Sequence, residues 1–525
     1  MPATLRDRVW LRRSGNLKTP DFCLASVNFM LRRSLIPPRS TLRRRSNIAR
    51  FAMLFACLGI AAADAAGPAR QAFGKRHPFR SDELPQGKLK AGLDRLDPQE
   101  KERAMNWLHS FDFGAPDAAE HLRVDDGGGV FIVCPDEAGC CEDHGQSATE
   151  TIDPAPAPAE EPPIAYAAVP VSSPPAYHSR PAASRKIYLD FNGATVSGTA
   201  WNTSAGVSTW NVKVWSQDTD ATTFNDSEQT WMKRVWQRVA EDYAPFDVDV
   251  TTDVAYDPDN YTGNKDYVGW LLICETTDAN GVALPHNGSG GVAYVGVFGN
   301  STYSPTYQPA WVSSTNGGGN EAIIAEAASH EMGHNMGLSH DGTSTLGYYG
   351  GHGSGDTSWG PIMGTGYNRN VSQWSKGEYY DANQLQDDLQ IISGRVAYRG
   401  DDHGGTAGTA TPLQVSGGIT ISSTTPETDP SNASPANKGV IERNTDVDVF
   451  SFYTGAGTVQ LNVKPWIQPA GTRGGNLDVL LELYDAGGAL IASNNAANLT
   501  TATISASLGQ GYYYLHVKNS GTGTP

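Results

Sequence analysis

Three histidines and a glutamate in the run His330-Glu331-Met332-Gly333-His334-Asn335-Met336-Gly337-Leu338-Ser339-His340-Asp341 have the types and spacing to hold a divalent metal and do chemistry on it. Imidazole nitrogen is a good ligand for Zn2+, reaching it at roughly 2.0–2.1 Å. His330 and His334 stand four apart, so on a helix they share one face and each can give a nitrogen to a single ion. Glu331, one step round, lies beside the metal rather than beneath it. That position suits a general base for a water whose pKa the ion lowers to about 7. His340 supplies a third nitrogen if the chain reverses after the helix, and Gly337 is able to take the positive φ of such a reversal. Three imidazoles leave one tetrahedral position open to water, as catalytic zinc requires and structural zinc avoids. A bare His-x-x-x-His pair arises by chance. Adding Glu331, Gly337, His340 and Asp341 at their spacings makes the run among the most specific of short signals.

The positioning elements are legible around this run. Asn320-Glu321-Ala322-Ile323-Ile324-Ala325-Glu326-Ala327-Ala328-Ser329 has a capping Asn, an early acid and strong helix formers, which predicts a helix carrying His330 and His334. A second helix is expected over Asp226 to Tyr243, where Met232, Val235, Trp236, Val239 and Tyr243 keep the spacing of one buried face, capped by Asp226 or Ser227. A third is expected over Asp381 to Ser393 with Leu385, Leu389 and Ile392 buried, and a piece at 98–108 is helix-like. Strands are expected at 187–191, 246–250, 267–274 and 290–298.

The His330–Asp341 run resembles the extended zinc signature of metzincin metallopeptidases, most closely the adamalysin (reprolysin) branch, in which Asp follows the third His. The resemblance implies zinc ligation by His330, His334 and His340, with Glu331 as catalytic base. It also implies a Met-containing turn, here Gly360-Pro361-Ile362-Met363-Gly364, whose Met363 floors the three imidazoles without ligating. Some branches place a Tyr two residues after that Met; here Tyr367 comes four after it, so it is not counted as catalytic. An edge strand, residues 291–298, is implied as the substrate-aligning element. His352, in the glycine-rich loop before the Met turn, is a rival ligand without helical register to the motif.

The rest of the chain sets the context. Its 525 residues exceed one core, and the formal charge of −17 hides an excess of ten positive charges in residues 1–50, leaving the remainder near −27. So acidic a body argues against nucleic-acid partners, which need basic patches. Phe51 to Ala63 is apolar, preceded by Arg43-Arg44-Arg45 and Arg50 and followed by small residues, the layout of a secretory signal. Secretion is therefore expected, with no stable membrane insertion after signal cleavage; the oligomeric state is left open. Of six cysteines, Cys23 and Cys57 fall in that leader. Cys134, Cys140 and Cys141 follow it and have two readings: a local disulfide or incidental thiol, or a thiolate that fills zinc's open position and holds the enzyme latent. The first is the ordinary account of such a group and is the one expected. Cys274 reads as inert core.

The expected organisation is a leader over 1–66, with its apolar region at about 51–63; a propeptide over 67–150; a proline-rich spacer over 151–185; a metzincin-like zinc metallopeptidase domain over 186–398; and a β-sandwich over 401–525. Leader and spacer are expected to be largely disordered. The fold class is thus α+β, a mixed sheet with the zinc-binding helix, followed by an all-β sandwich. The last region, with Asp446 to Phe452, Leu477 to Tyr484 and Gly511 to Val517, resembles the bacterial pre-peptidase C-terminal domain, and the Gln373–Tyr380 segment resembles the corresponding stretch of bacterial reprolysin-like enzymes. Asp446, Asp448 and Asp478 are candidate Ca2+ ligands there, beside the catalytic Zn2+. The leading expectation is a secreted zinc endopeptidase acting on proteins or peptides. The alternative is a surface- or polymer-binding protein with a vestigial protease domain.

Overall fold

The computed structural model describes residues 71–135, 166–218, 220–301, 303–415, 437–466 and 475–520. The leader, Cys140 and Cys141 lie outside these. Among the described residues no helix is long and apolar enough to cross a membrane.

Seven strands form the central sheet: β1 (Leu122–Val124), β2 (Val130–Cys134), β3 (Arg185–Asp190), β4 (Val248–Thr251), β5 (Val268–Cys274), β6 (Gly291–Tyr294) and β7 (Ala310–Ser313). Their order is β4-β3-β5-β7-β6-β2-β1. From β4 to β7 neighbours are parallel, while β6 runs antiparallel to both β7 and β2. Strand β5, Val-Gly-Trp-Leu-Leu-Ile-Cys, is buried throughout, as an apolar run without alternation predicts for a strand covered on both faces. Its side chains divide by the two-residue period of a strand. Leu271 and Ile273 join one core with Trp236, Val239, Ala328 and Met332; Trp270, Leu272 and Cys274 join a second with Val292, Tyr294 and Trp311.

Helices α2 (Asp226–Asp242) and α3 (Glu321–Met336) cover the first face; α1 (Pro98–Leu108) belongs to the N-terminal segment and α4 (Asp388–Val396) follows α3 in the chain. The α2 cap is Asn225, one residue earlier than expected: its side chain accepts from the Glu228 N–H and the Glu228 carboxylate accepts from the Asn225 N–H. On α3, Asn320 caps through the Ala322 N–H, and Gly337 ends the helix at φ 110. Two expectations are corrected. α4 begins at Asp388 rather than Asp381, because Asp387 is its cap, and Leu385 points outward, 57% exposed. The strand expected through residue 298 stops at Tyr294, since the following backbone turns to meet the end of α3: Gly296 N–H donates to His334 O at 2.8 Å and Phe298 N–H to Asn335 O at 2.8 Å.

The second face holds the larger departure. Residues 71–135 are folded onto the sheet, and Phe73, Leu89, Leu93, Trp107, Leu108, Phe113, Leu122 and Ile132 are buried in the second core. Each such burial contributes about 1.5–3 kcal/mol, so this segment is part of the core. Likewise the spacer does not stay free of the domain up to Arg185: from residue 166 the chain packs, with Tyr177 in the first core and Val169–Pro170 paired with Thr223–Phe224.

The C-terminal region is all-β. Strands β8 (Asp448–Thr454), β10 (Val479–Asp485), β11 (Leu490–Asn494) and β13 (Gly511–Asn519) form one sheet in the order β8-β13-β10-β11, with Thr411–Pro412 beside β8. Strands β9 (Gly457–Val463) and β12 (Ala502–Leu508) pair separately, and a core of Phe450, Leu461, Val479, Leu481, Leu483, Ile504 and Leu515 draws on both sets.

Candidate metal centre

Helix α3 places His330 and His334 one turn apart, and the Gly337 reversal returns His340 to the same point, as their spacing predicted. The Nε2 atoms of His334 and His340 are 3.1 Å apart, and that of His330 is buried with no hydrogen-bond partner. Each Nδ1–H is given away: His330 to Ile362 O at 2.8 Å, His334 to Leu338 O at 2.9 Å and His340 to Asp117 Oδ1 at 2.5 Å. All three Nε2 atoms are therefore left as lone-pair donors. Burial lowers all three imidazole pKa values, His330 to about 4, and the neighbouring rings lower those of His334 and His340 further. Neutral, converging imidazoles are what Zn2+ ligation asks for.

The fourth group is Cys134. Its free thiol, at the end of β2, lies 3.4 Å from His334 Nε2 and 3.5 Å from His340 Nε2. With the three histidines it forms a set whose ligand atoms all lie within 4.8 Å of one another. The local-disulfide reading therefore does not hold for Cys134, which is a free thiol beside the histidines. Strand pairing delivers it: Cys134 sits opposite Gly291, and Gly290 N–H donates to Cys134 O at 2.9 Å. Burial pushes the Cys134 thiol well up, as does the charge of Glu331 beside it. A bound dication inverts that preference, since it deprotonates a coordinating thiol.

Glu331 is 1% exposed and shares this space; burial pushes its carboxyl up to about 8, against a lowering contact from Cys134. Gly291 makes the room. A Cβ there would come within 2.2 Å of Glu331 Oε1, so even Ala would displace the carboxylate. Met363 is fully buried beneath α3, where a Cβ on Gly333 would stand 2.6 Å from its sulfur. Asp341 does not point at the cluster; its Oδ1 accepts from Gln384 Nε2 at 2.8 Å and its backbone N–H donates to Met363 O at 2.8 Å, tying the loop to the Met turn. His352 is no ligand here, since its Nδ1 pairs with the Tyr349 hydroxyl at 3.0 Å.

Three neighbours have no signal in the local sequence. Tyr348 is buried with its ring centroid 4.1 Å from that of His340. His121 meets His340 edge-on at 5.2 Å. Asp117 is fully buried, and burial pushes its carboxyl up to about 7 while His121 opposes the shift. The last two come from a chain segment more than two hundred residues away, with no motif to flag them.

Residues 175–375 match the family model Reprolysin_5, Metallo-peptidase family M12. This stretch carries a metallopeptidase signature. The match supports a metalloprotease hydrolase with a zinc ion at the histidine cluster and protein or peptide substrates. The Reprolysin_5 match begins just before Tyr177 enters the core and ends after the Met turn, covering neither residues 71–135 nor the C-terminal strands. No curated protein and no solved structure matches the chain.

Among the described residues, acids also gather at the start of the C-terminal region. Asp446 and Asp448 come together with Asp401, Asp402 and Glu442, while Asp478 stands apart and accepts from the Ser520 hydroxyl at 2.5 Å. His403 touches this group, but both its ring nitrogens are engaged, with Thr411 Oγ1 at 2.8 Å and Lys438 O at 2.7 Å.

Proposed function

We propose that the chain is the precursor of a secreted zinc endopeptidase, held latent by its own N-terminal segment. The observation that carries this reading is the convergence of three histidine nitrogens, the Cys134 thiol and the Glu331 carboxylate on one buried point. His330, His334 and His340 would hold the ion. When bound, zinc supplies Lewis-acid polarisation of the scissile carbonyl and makes water acidic enough to be deprotonated near neutral pH. Glu331 takes the proton from the attacking water, the water oxygen adds to the carbonyl carbon, and Glu331 hands the proton to the amine nitrogen as the C–N bond breaks. Strand β6 aligns the substrate by added-strand pairing. In the intact chain β2 occupies that edge and Cys134 the metal's open position, so substrate and thiol compete for the same ground.

Cleavage within the proline-rich stretch after Cys134 would begin maturation, exposed linkers of that composition being preferred processing sites. The test is metal analysis of the purified chain with proteolysis of casein after processing. One zinc per chain and chelator-reversible hydrolysis are expected; a folded protein that takes up no metal would overturn the reading. Reversal by chelator also separates this function from that of a polymer-binding protein with a vestigial site, which has no reason to keep all three ligands and the base.

In the C-terminal region, read as a pre-peptidase-type domain, the acid cluster fits Ca2+. Asp448 is 2% exposed with Oδ1 lacking a hydrogen-bond partner, and Glu442 is 4% exposed with neither oxygen hydrogen-bonded. Glu442 Oε1 also lies 3.5 Å from Arg399 Nε, so the cluster has one cation beside it and an excess of hard carboxylate oxygens of the kind a hard cation takes. Burial first, then the surrounding acids, push Glu442 up to about 8 and Asp448 up to about 9. Acids raised in the fold stabilise it fully below their unfolded pKa, and that contribution is lost as pH rises through the folded value. Without calcium, the melting temperature of this region is therefore expected to fall between about pH 4 and pH 9. Millimolar CaCl2 should flatten the fall; a profile indifferent to calcium would remove the site.

A further inference from the structure

The three imidazoles are not held from behind by the same part of the chain. His330 and His334 rest on carbonyls of the catalytic unit, Ile362 O and Leu338 O. His340 rests on a carboxylate, Asp117, which the N-terminal segment brings in on a single turn spanning Asp117–His121. That turn is fitted closely. The His121 ring packs on both His340 and Tyr348, at 5.2 and 4.9 Å, and a Cβ on Gly347 would come within 2.6 Å of His121 Nε2. Asp117 itself is fully buried, its Oδ1 on His340 Nδ1 and its Oδ2 without a hydrogen-bond partner.

A carboxylate behind a ligating histidine fixes the ring's orientation and tautomer and raises the basicity of the nitrogen that faces the metal. A dication across the ring also keeps such a carboxylate ionised. We propose that Asp117 is a positioning residue for the metal, so that the N-terminal segment which blocks the site through Cys134 also tightens its grip on the ion through His340. The segment's two contacts then act in opposite directions, one against turnover and one for metal retention. This inference rests on the zinc reading of the site, and its test is arranged to tell the two apart.

The test compares full-length chains that all carry Cys134→Ser, so that the thiol does not mask the effect, by competing each for Zn2+ against a chromogenic chelator. Removing an outer-shell partner of this kind costs about 10–100-fold in metal affinity. Asp117→Ala is expected to bind zinc that much more weakly. Asp117→Asn, which keeps an acceptor for the Nδ1–H but drops the charge, is expected to fall between it and the parent. The d–d spectrum of the Co2+-loaded protein should shift in both variants, reporting the ligand field directly. Circular dichroism identifies any variant that fails to fold, and Asp117→Asn, nearly isosteric, then decides alone. Zinc affinity within threefold of the parent in a folded Asp117 variant overturns the inference. Should His340→Ala also bind zinc as the parent does, the metal-site reading itself falls.

Discussion

Glu331→Gln in the processed chain is expected to leave zinc stoichiometry unchanged and to lower kcat by about 10²–10⁴-fold, the range contributed by a positioned general acid–base group. The amide keeps nearly the size and shape of the carboxylate in the pocket that Gly291 leaves open, so folding and ligation should survive. What it loses is the ability to accept the water proton and return it to the leaving amine. Hydrolysis of a fluorogenic peptide, measured beside metal content, reads both halves of the expectation. Unchanged turnover with zinc in place would mean that another group carries the proton. Loss of zinc with loss of activity would mean that Glu331 matters for structure instead.

Cys134→Ala in the unprocessed chain tests the latency. The thiol lies against His334 and His340 and beside Glu331, so its removal frees both the metal's open position and the space around the base. A factor of ten corresponds to about 1.4 kcal/mol. A thiolate–metal bond worth even that much predicts at least about tenfold higher activity on a short peptide. Protein substrates should respond less, because β2 still pairs with β6 and covers the edge they need. If the unprocessed variant is as inactive as its parent toward peptides of every length, strand occupancy alone explains the block and the thiol is incidental.

The immediate site was legible in the sequence because its parts are local. The Asn320 cap, the helical spacing of His330 and His334 and the positive φ at Gly337 lie within one stretch of chain, where propensity and spacing placed them, and Met363 is buried as the family resemblance implied. The same holds for the Trp236 and Val239 face of α2. What escaped was non-local. β1 and β2 are three and five residues long, and neither their length nor their pattern says which edge they will join. Asp117 reaches His340 across 223 residues of chain, and Cys134 reaches His334 across 200. Leu385 was misplaced for a different reason. Its spacing is in phase with the helix, but Asp387 caps the helix two residues later and leaves it outside. The acids of the C-terminal cluster come from two separated stretches, 401–402 and 442–448, whose approach only the sheet decides.

The hydrophobic layer between residues 71–135 and the sheet bears on how such a precursor would switch on. Severing the chain downstream of Cys134 breaks one covalent bond and disturbs none of the contacts made by Trp107, Phe113, Leu122 or Ile132. The nicked protein is then a two-piece complex as well packed as the uncut one. Proteolysis would start the clock, and the appearance of activity would wait on dissociation or on digestion of the departing piece.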